Sequence, residues 1–168
     1  MTETAPVPAD SLRLSTWLPY RLFVIAARIA RPLESYYSET FGLSQAAWRI
    51  LAVIAERDGV SASEIGHACA LDPFAVSRGI GQLVEHGFAT RRTSKTDRRY
   101  AAVTITRRGR DAFDKIATLG RIIEADLLSA LSADERAMMD SALRKLEGES
   151  VRIESTGWRG LLADGGNT

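Results

Sequence analysis

The feature that most constrains this chain is a change of hydrophobic period at Gly87. Upstream of it, residues 61–86 show the 3.6-residue spacing of short amphipathic helices. Downstream, apolar and polar residues alternate in two runs, 88–93 and 100–105, which predicts two β-strands. The segment 94–99 between these runs is polar and basic. Short helices followed at once by a hairpin with a basic tip predict a winged helix-turn-helix.

The helices of this unit have clear start signals. Segment 43–57 is apolar around most of its surface and predicts a buried helix. Ser61 and Glu64 have the spacing of a capping box, in which each side chain bonds the other residue's backbone amide. Asp72 before Pro73 places an acceptor at a helix cap and a preset φ in the first turn. The pattern therefore predicts three short helices, and the last two form the helix-turn-helix.

Longer helices are predicted on both sides of this unit. One starts at Thr16, one follows Thr106, and a last one starts with a capping box at Ser132 and reaches about Glu147. We expect their apolar stripes to be covered by a second copy of the chain, with packing inside one chain as the alternative. The stripes are Leu22, Ile25, Ile29 and Leu33 on the first helix, and Ile116, Leu119, Ile123 and Leu127 on the fifth.

The distribution of charge favours a phosphate-binding surface. The whole chain carries a net charge of only +1, but residues 78–110 contain nine Lys or Arg and two acidic residues, a local net charge of +7. The rest of the chain is therefore net acidic. A basic segment on an acidic chain is typical of proteins that bind nucleic acid.

The amino-acid composition limits which classes of protein this chain can belong to. The 168 residues are 45% apolar and 26% charged, which is ordinary for a soluble domain. Cys69 is the only cysteine, so an intrachain disulfide is excluded. No run approaches the roughly 20 apolar residues of a membrane span, and the N-terminus lacks the order of a secretory signal. We expect a cytoplasmic protein with no membrane partner.

The sequence does not favour an enzyme. His67 and His86 are the only histidines, and no Cys or His cluster has metal-binding spacing. The glycines at 79 and 81 lie inside a predicted helix with no strand before them, so they form no phosphate loop. We therefore expect no catalytic residues, no metal and no cofactor.

The predicted wing resembles that of a known family. Residues 96–106, Thr-Asp-Arg-Arg-Tyr-Ala-Ala-Val-Thr-Ile-Thr, followed by Gly109, are similar to the wing signature of the MarR family. That signature is an Asp-x-Arg tip that leads through a strand to Thr-x-x-Gly. The helix motifs at 71–78 and 43–51 also fit, so the resemblance covers about residues 16–147.

The resemblance implies a mainly α fold with a small β wing, flanked by N- and C-terminal dimerisation helices. It implies a homodimer with two winged-helix lobes on one face of double-stranded DNA. Family members commonly repress transcription, and many release DNA on binding small aromatic acids or on oxidation. The predicted organisation is a flexible tail at 1–15, a dimer domain at 16–147 with its DNA-binding lobe at about 43–106 and dimerisation helices at 16–38 and 107–147, and a C-terminal extension at 148–168 that can add to the interface.

The predicted DNA contacts lie on the fourth helix and the wing. Arg can bond guanine in the major groove and an apolar side chain can touch a thymine methyl group, while wing arginines suit a narrow minor groove. Arg78 could instead form an ion pair within the protein. Asp97 is expected to hold the wing turn. The predicted contacts are Phe74, Ser77, Arg78 and Gln82 on the helix, and Arg91, Lys95, Arg98 and Arg99 in the wing.

A small-molecule effector is a further expectation from the resemblance. Family pockets lie between the dimerisation helices and the winged-helix lobe, where Arg21 could face a carboxylate. The same aromatic residues could simply be core or dimer interface. The candidates are Trp17, Tyr20, Arg21, Tyr36, Tyr37 and Trp48.

A winged-helix adaptor that binds proteins and not DNA is the alternative to a DNA-binding regulator. Such an adaptor is expected to lack basic residues in its wing, and this wing keeps them. Cys69 lies among apolar residues of the third helix, a position that favours a buried structural side chain over a redox sensor.

Overall fold

The computed structural model of the chain describes residues 12–93 and 101–165. The described residues divide into two compact units after residue 121, and the fifth helix crosses this boundary. The elements in chain order are α1 (Leu18–Phe41), α2 (Gln45–Glu56), β1 (Val60–Ser61), α3 (Ala62–Cys69), α4 (Pro73–Glu85), β2 (Ala89–Thr93), β3 (Ala101–Ile105), α5 (Arg107–Leu128) and α6 (Ala133–Gly165).

The predicted helix starts of the central unit are confirmed. The hydroxyl of Ser61 accepts from the amide of Glu64, and the Glu64 carboxylate accepts from the amide of Ser61 at 2.8 Å. Oδ1 of Asp72 accepts from the amides of Phe74 and Ala75, both at 2.9 Å. These bonds satisfy backbone donors that a helix start leaves free.

The start of α1 differs from the prediction. Its N-cap is Trp17 and not Thr16, whose hydroxyl instead donates to the carbonyl of Arg13 in the preceding turn. At its other end, Gly42 adopts the left-handed conformation with φ 65° and donates to the carbonyl of Ser38. This glycine ends α1 sharply and turns the chain into α2.

The sheet has three antiparallel strands in the order β1-β3-β2, with β3 in the centre. The hairpin of β2 and β3 is the predicted wing. The two-residue strand β1 was not predicted, because two residues are too short to show a period. Val60 pairs with Val103, and Arg91 pairs with Val103 from the other side.

One hydrophobic core holds the first unit together. Within it Ile50, Leu51, Ile65, Leu83 and Val103 are completely buried. Ile116 of α5 is also completely buried in this core, so the prediction that it forms part of a stripe awaiting a second copy is wrong. The first turns of α5 pack against their own winged-helix unit.

The second unit consists of the C-terminal end of α5 together with all of α6. The capping box at its start is confirmed, since the Glu135 carboxylate accepts from the amide of Ser132 at 2.8 Å. The helix runs past the predicted end at Glu147 and through Gly148, and its backbone leaves helical geometry at Gly157, where φ is 65°. Gly148 thus continues the helix, whereas Gly157 interrupts its regular geometry.

Within the described ranges, no helix is both long and apolar enough to cross a membrane. The same residues contain no cluster of His, Cys, Asp and Glu that could hold a metal ion.

Candidate nucleic-acid interface

Helix α4 has one buried face and one exposed face. Val76, Ile80 and Leu83 point into the core and are at most 3% exposed. Five residues at helical spacing on the other side are all exposed, and no described element of the chain covers them. We call this set the reading face; it comprises Phe74, Ser77, Arg78, Gly81 and Glu85.

Two members of the reading face contact each other. The guanidinium carbon of Arg78 lies 5.6 Å from the centre of the Phe74 ring, the distance of a cation–π contact. Phe74 is 69% exposed, which is unusual for a phenylalanine in a domain with its own core. The ion pairs of the described residues are Asp140 with Arg144 and Glu149 with Arg152, so Arg78 has no acidic partner among them.

The two glycines of α4 have different surroundings. A Cβ at Gly79 would lie 2.5 Å from Cδ1 of Ile50 and 3.3 Å from the backbone nitrogen of Ala47, so a side chain there would force Ile50 of α2 to shift. A Cβ at Gly81 would have no described atom within 4 Å. A neighbouring helix therefore approaches α4 closely at Gly79, whereas no described part of the chain does so at Gly81.

Gln82 has hydrogen-bond partners inside the protein. Its Nε2 donates to the carbonyl of Gly42 at 2.8 Å. Its Oε1 accepts from the amide of Ser44 at 3.1 Å and from the Ser44 hydroxyl at 2.7 Å. The side chain predicted to touch DNA therefore bonds to the turn between α1 and α2.

The base of the wing is fixed by a short hydrogen-bond chain. The Thr106 hydroxyl donates to the carbonyl of Gly87 at 2.7 Å and accepts from the amide of Gly109 at 3.0 Å. A side chain at Gly109 would collide with the carbonyl of Phe88. The Thr-x-x-Gly part of the predicted wing signature thus joins the end of β3 to the start of β2.

The basic residues of this region serve different purposes. Arg91 on β2 is exposed. Arg110 donates to the carbonyl of Ala55 at 2.7 Å, and Arg108 lies over the ring of Phe88 at 5.2 Å, so these two also support the fold. The remaining wing predictions, Lys95, Asp97, Arg98 and Arg99, lie outside the described residues.

A cleft of about 430 Å³ lies between α1 and α2. Tyr37 and Trp48 line it and stack at 5.8 Å, and Trp48 also stacks on Phe113 at 5.9 Å. Arg49 supplies the positive charge of the lining. Burial raises the pKa of the Tyr37 hydroxyl, nearby Glu34 raises it further, and Arg49 opposes this. Tyr37 is therefore a neutral donor at physiological pH.

The structure separates the predicted ligand residues. Tyr37 and Trp48 line the cleft, while Trp17, Tyr20 and Arg21 lie in the first turn of α1 or just before it, outside the lining. Tyr36 packs edge-on against Phe41 at 5.8 Å. Arg49 was not among the predicted ligand residues. Its only signal in the sequence was its position next to Trp48, which was predicted.

A second cleft, of about 450 Å³, lies between the end of α1 and the start of α5. Phe41 and Phe88 form part of its wall, and Arg108, Asp111 and Lys115 place charges at it. Two cleft regions in the first unit are thus large enough for a small ligand.

Comparisons with known proteins agree with this architecture. Residues 41–99 match the family model described as MarR family. The HTH-type transcriptional regulator BilQ of Clostridium symbiosum is 29% identical over 105 residues, which cover 62% of this chain and 73% of that protein. An HTH-type transcriptional repressor of Mycobacterium bovis is 26% identical over 129 residues, 77% of this chain and 92% of that protein.

Solved structures share the fold. A MarR/EmrR family regulator from Acinetobacter sp. superposes with a TM-score of 0.74 at 21% identity, over 84% of this chain and all of that one. BpsR of Bordetella bronchiseptica, whose DNA binding is regulated by 6-hydroxynicotinic acid, gives a TM-score of 0.70 at 20% identity over 82% and 98% of the two chains.

A helix-turn-helix with an exposed reading face, followed by a β-hairpin, defines a winged-helix DNA-binding protein. The winged-helix segment of this chain, residues 41–99, matches the model of the MarR family, and regulators of that family share its fold. This family consists of transcriptional regulators and not of enzymes. The protein is accordingly a DNA-binding transcriptional regulator.

Proposed function

We propose that the protein is a homodimeric repressor that binds pseudo-palindromic duplex DNA and is released by a small aromatic or acidic ligand. The observation that carries the DNA-binding mode is the reading face of α4. Phe74, Ser77 and Arg78 form its N-terminal half, the end that enters the major groove in helix-turn-helix proteins. We assign base or phosphate contacts to these three, and phosphate contact to exposed Arg91.

The wing is proposed to supply the remaining contacts. Lys95 is assigned to phosphate and Arg98 and Arg99 to the minor groove, with Asp97 holding the turn, because narrow A·T tracts attract arginine. Their assignment rests on the sequence and on the position of the hairpin that carries them. Gln82 is assigned a different role below.

Dimerisation is proposed because a single chain leaves apolar side chains exposed to solvent. On α1, Leu22 is 41% exposed, Ile25 is 48% exposed and Phe23 is 68% exposed. On α6, Met138 and Leu143 are also exposed. Contiguous exposed apolar patches on a soluble domain mark interaction surfaces, and a two-fold dimer covers the same patch on both copies. We assign dimerisation to the helices at 16–38 and 107–147, apart from the first turns of α5 that pack on their own winged-helix unit, with 148–168 as an extension of the interface.

Ligand release is proposed for the cleft that contains Tyr37, Trp48 and Arg49. Stacked aromatic rings accept a flat ligand, and an arginine can bind its carboxylate. The cleft also lies beside the turn between α1 and α2, because Gln45 lines it and directly follows Ser44. Two relatives support this proposal: BpsR, whose DNA binding is regulated by 6-hydroxynicotinic acid, and the M. bovis protein, which is named a repressor.

The DNA-binding mode is tested by selecting duplexes from a random library with the purified protein. The proposal expects a pseudo-palindrome whose half-sites lie about 10 bp apart or a multiple of that distance. Failure to enrich any duplex, with normal folding, would instead favour the protein-binding adaptor.

Ligand release is tested on the selected duplex with 6-hydroxynicotinate and salicylate as probes. We expect at least one of them to weaken DNA binding by wild type and to lose this effect in Arg49→Ala. Arg21→Ala is the matched control, because Arg21 lies outside the lining, and it should respond as wild type does. Equal responses of wild type and Arg49→Ala would contradict the assignment of this cleft.

A further inference from the structure

Gln82 connects the DNA-reading helix to the turn between α1 and α2. Its amide group makes three hydrogen bonds there, one to Gly42 and two to Ser44, with distances of 2.7–3.1 Å. The Ser44 hydroxyl that donates to Gln82 also accepts from the amide of Ala47 and so caps α2. One side chain of α4 thus bonds both the end of α1 and the N-cap residue of α2.

The other contacts between α4 and α2 are apolar. Gly79 packs directly against Ile50 and the backbone at Ala47, and Val76 and Leu83 are buried in the same hydrophobic core. Apolar contacts are non-directional and tolerate small slides and rotations of a helix. Hydrogen bonds have defined distances and angles. Gln82 is therefore the α4 residue at this contact that can fix how far the helix is rotated about its axis and shifted along it.

A neighbouring histidine supports the same junction. Nδ1 of His86 donates to the backbone carbonyl of Gln82 at 2.8 Å, and its ring stacks on Phe88 at 6.0 Å. Nε2 of His86 lies next to Gly42, at 3.1 Å from the position where a Cβ would stand. The end of α4 is thus held against the end of α1 by packing as well as by hydrogen bonds.

We propose that Gln82 is a positioning residue for DNA recognition: it acts through Gly42 and Ser44 to set the pose of α4, and does not read a base. This inference rests on the proposed DNA-binding mode of α4. Because the reading face contacts several base pairs from one rigid helix, a change of its pose weakens discrimination at all of them together. Loss of a residue that reads a base removes discrimination at one position in each half-site.

The test combines a DNA-free and a DNA-dependent measurement on three variants of the full chain. Gln82→Met keeps the side-chain length but makes none of the three bonds. Gln82→Glu keeps an acceptor for Ser44 and loses the donor to Gly42. Val84→Met is the control, because Val84 is an exposed α4 residue that lies off the reading face.

The DNA-free arm measures amide hydrogen exchange. We expect exchange at the Ser44 amide to accelerate about tenfold in Gln82→Met, because this amide loses its acceptor, and to stay near the wild-type rate in Gln82→Glu and Val84→Met. An unchanged Ser44 amide in Gln82→Met would overturn the proposal whether or not the protein binds DNA.

The DNA arm measures affinity for the selected duplex and for each of its single-base-pair variants. We expect Gln82→Met to lose about tenfold in affinity and to discriminate less at every contacted position. A loss confined to one base pair per half-site would overturn the proposal and make Gln82 a base contact. If wild type selects no duplex, the proposed function fails, and the exchange arm still decides whether Gln82 anchors α4.

Discussion

Arg78 lies over the ring of Phe74 one helical turn earlier on α4, with 5.6 Å between its guanidinium carbon and the ring centre. The contact restrains the guanidinium in the free protein, because the ring limits the conformations that this long side chain can adopt. Both residues are exposed, so neither is needed for the core. The Arg78 side chain therefore has a defined position on the reading face.

The first prediction concerns this pair. Arg78→Ala should weaken binding to the selected duplex by about 1–3 kcal/mol and relax specificity at one position in each half-site. Phe74→Ala should weaken DNA binding while changing the free energy of unfolding by less than about 0.5 kcal/mol, as expected for an exposed side chain. Fluorescence anisotropy measures these affinities. If Arg78→Ala loses the same affinity for all DNA sequences, Arg78 contacts a phosphate and not a base.

The second prediction compares two glycines in the same helix. Gly81→Ala should stabilise the protein by roughly 1 kcal/mol, because alanine is the better helix former and nothing described lies near its Cβ. Gly79→Ala should destabilise it by about 1–3 kcal/mol, since its Cβ meets α2.

Urea denaturation measures both changes, and DNA affinity gives a further test of Gly81. This residue belongs to the reading face, so Gly81→Ala should bind DNA more weakly although it folds more stably. A variant that is both more stable and unchanged in DNA binding would show that the DNA does not approach α4 at this position.

The third prediction tests dimerisation. Ile25→Asp should shift the monomer–dimer equilibrium toward monomer, because it buries an unpaired carboxylate in the proposed interface. Ser35→Asp on the same helix adds the same charge at an exposed polar position and should remain dimeric. Sedimentation equilibrium over a range of concentrations distinguishes them. An Ile25→Asp protein that dimerises as wild type does would exclude this part of α1 from the interface.

The fourth prediction concerns Cys69, which is buried at 6% exposure. Burial raises the pKa of its thiol, with a smaller opposing effect from Arg49, so the reactive thiolate is scarce at neutral pH. Iodoacetamide should modify the folded protein much more slowly than the urea-unfolded protein, and micromolar peroxide should leave DNA affinity unchanged. Rapid labelling in the folded state, or loss of DNA binding that Cys69→Ala prevents, would contradict this.

Much of the fold could be predicted from local signals. The caps at Ser61, Asp72 and Ser132 are local chemistry, and the structure has a helix starting after each of them. The strand β1 and the burial of Ile116 could not be predicted in this way. Both depend on which distant segment is adjacent, and a single hydrophobic pattern does not contain that information.

The candidate site was predictable to a similar extent. Helical periodicity was enough to place Phe74, Ser77 and Arg78 on an exposed face. It did not distinguish Gln82, because a polar side chain beside that face can point toward DNA or toward a turn about 40 residues earlier in the chain. Arg49 was missed for a related reason, since the cleft it lines forms only when α1 packs on α2.

The salt dependence of DNA binding tests the central claim most directly. Two reading faces and two basic wings should make about six to ten phosphate contacts per dimer, and each releases counterions. We therefore predict that affinity for the selected duplex falls by roughly 10³ to 10⁵-fold between about 50 and 200 mM salt. An affinity that stays constant across this range would contradict the proposed DNA-binding mode.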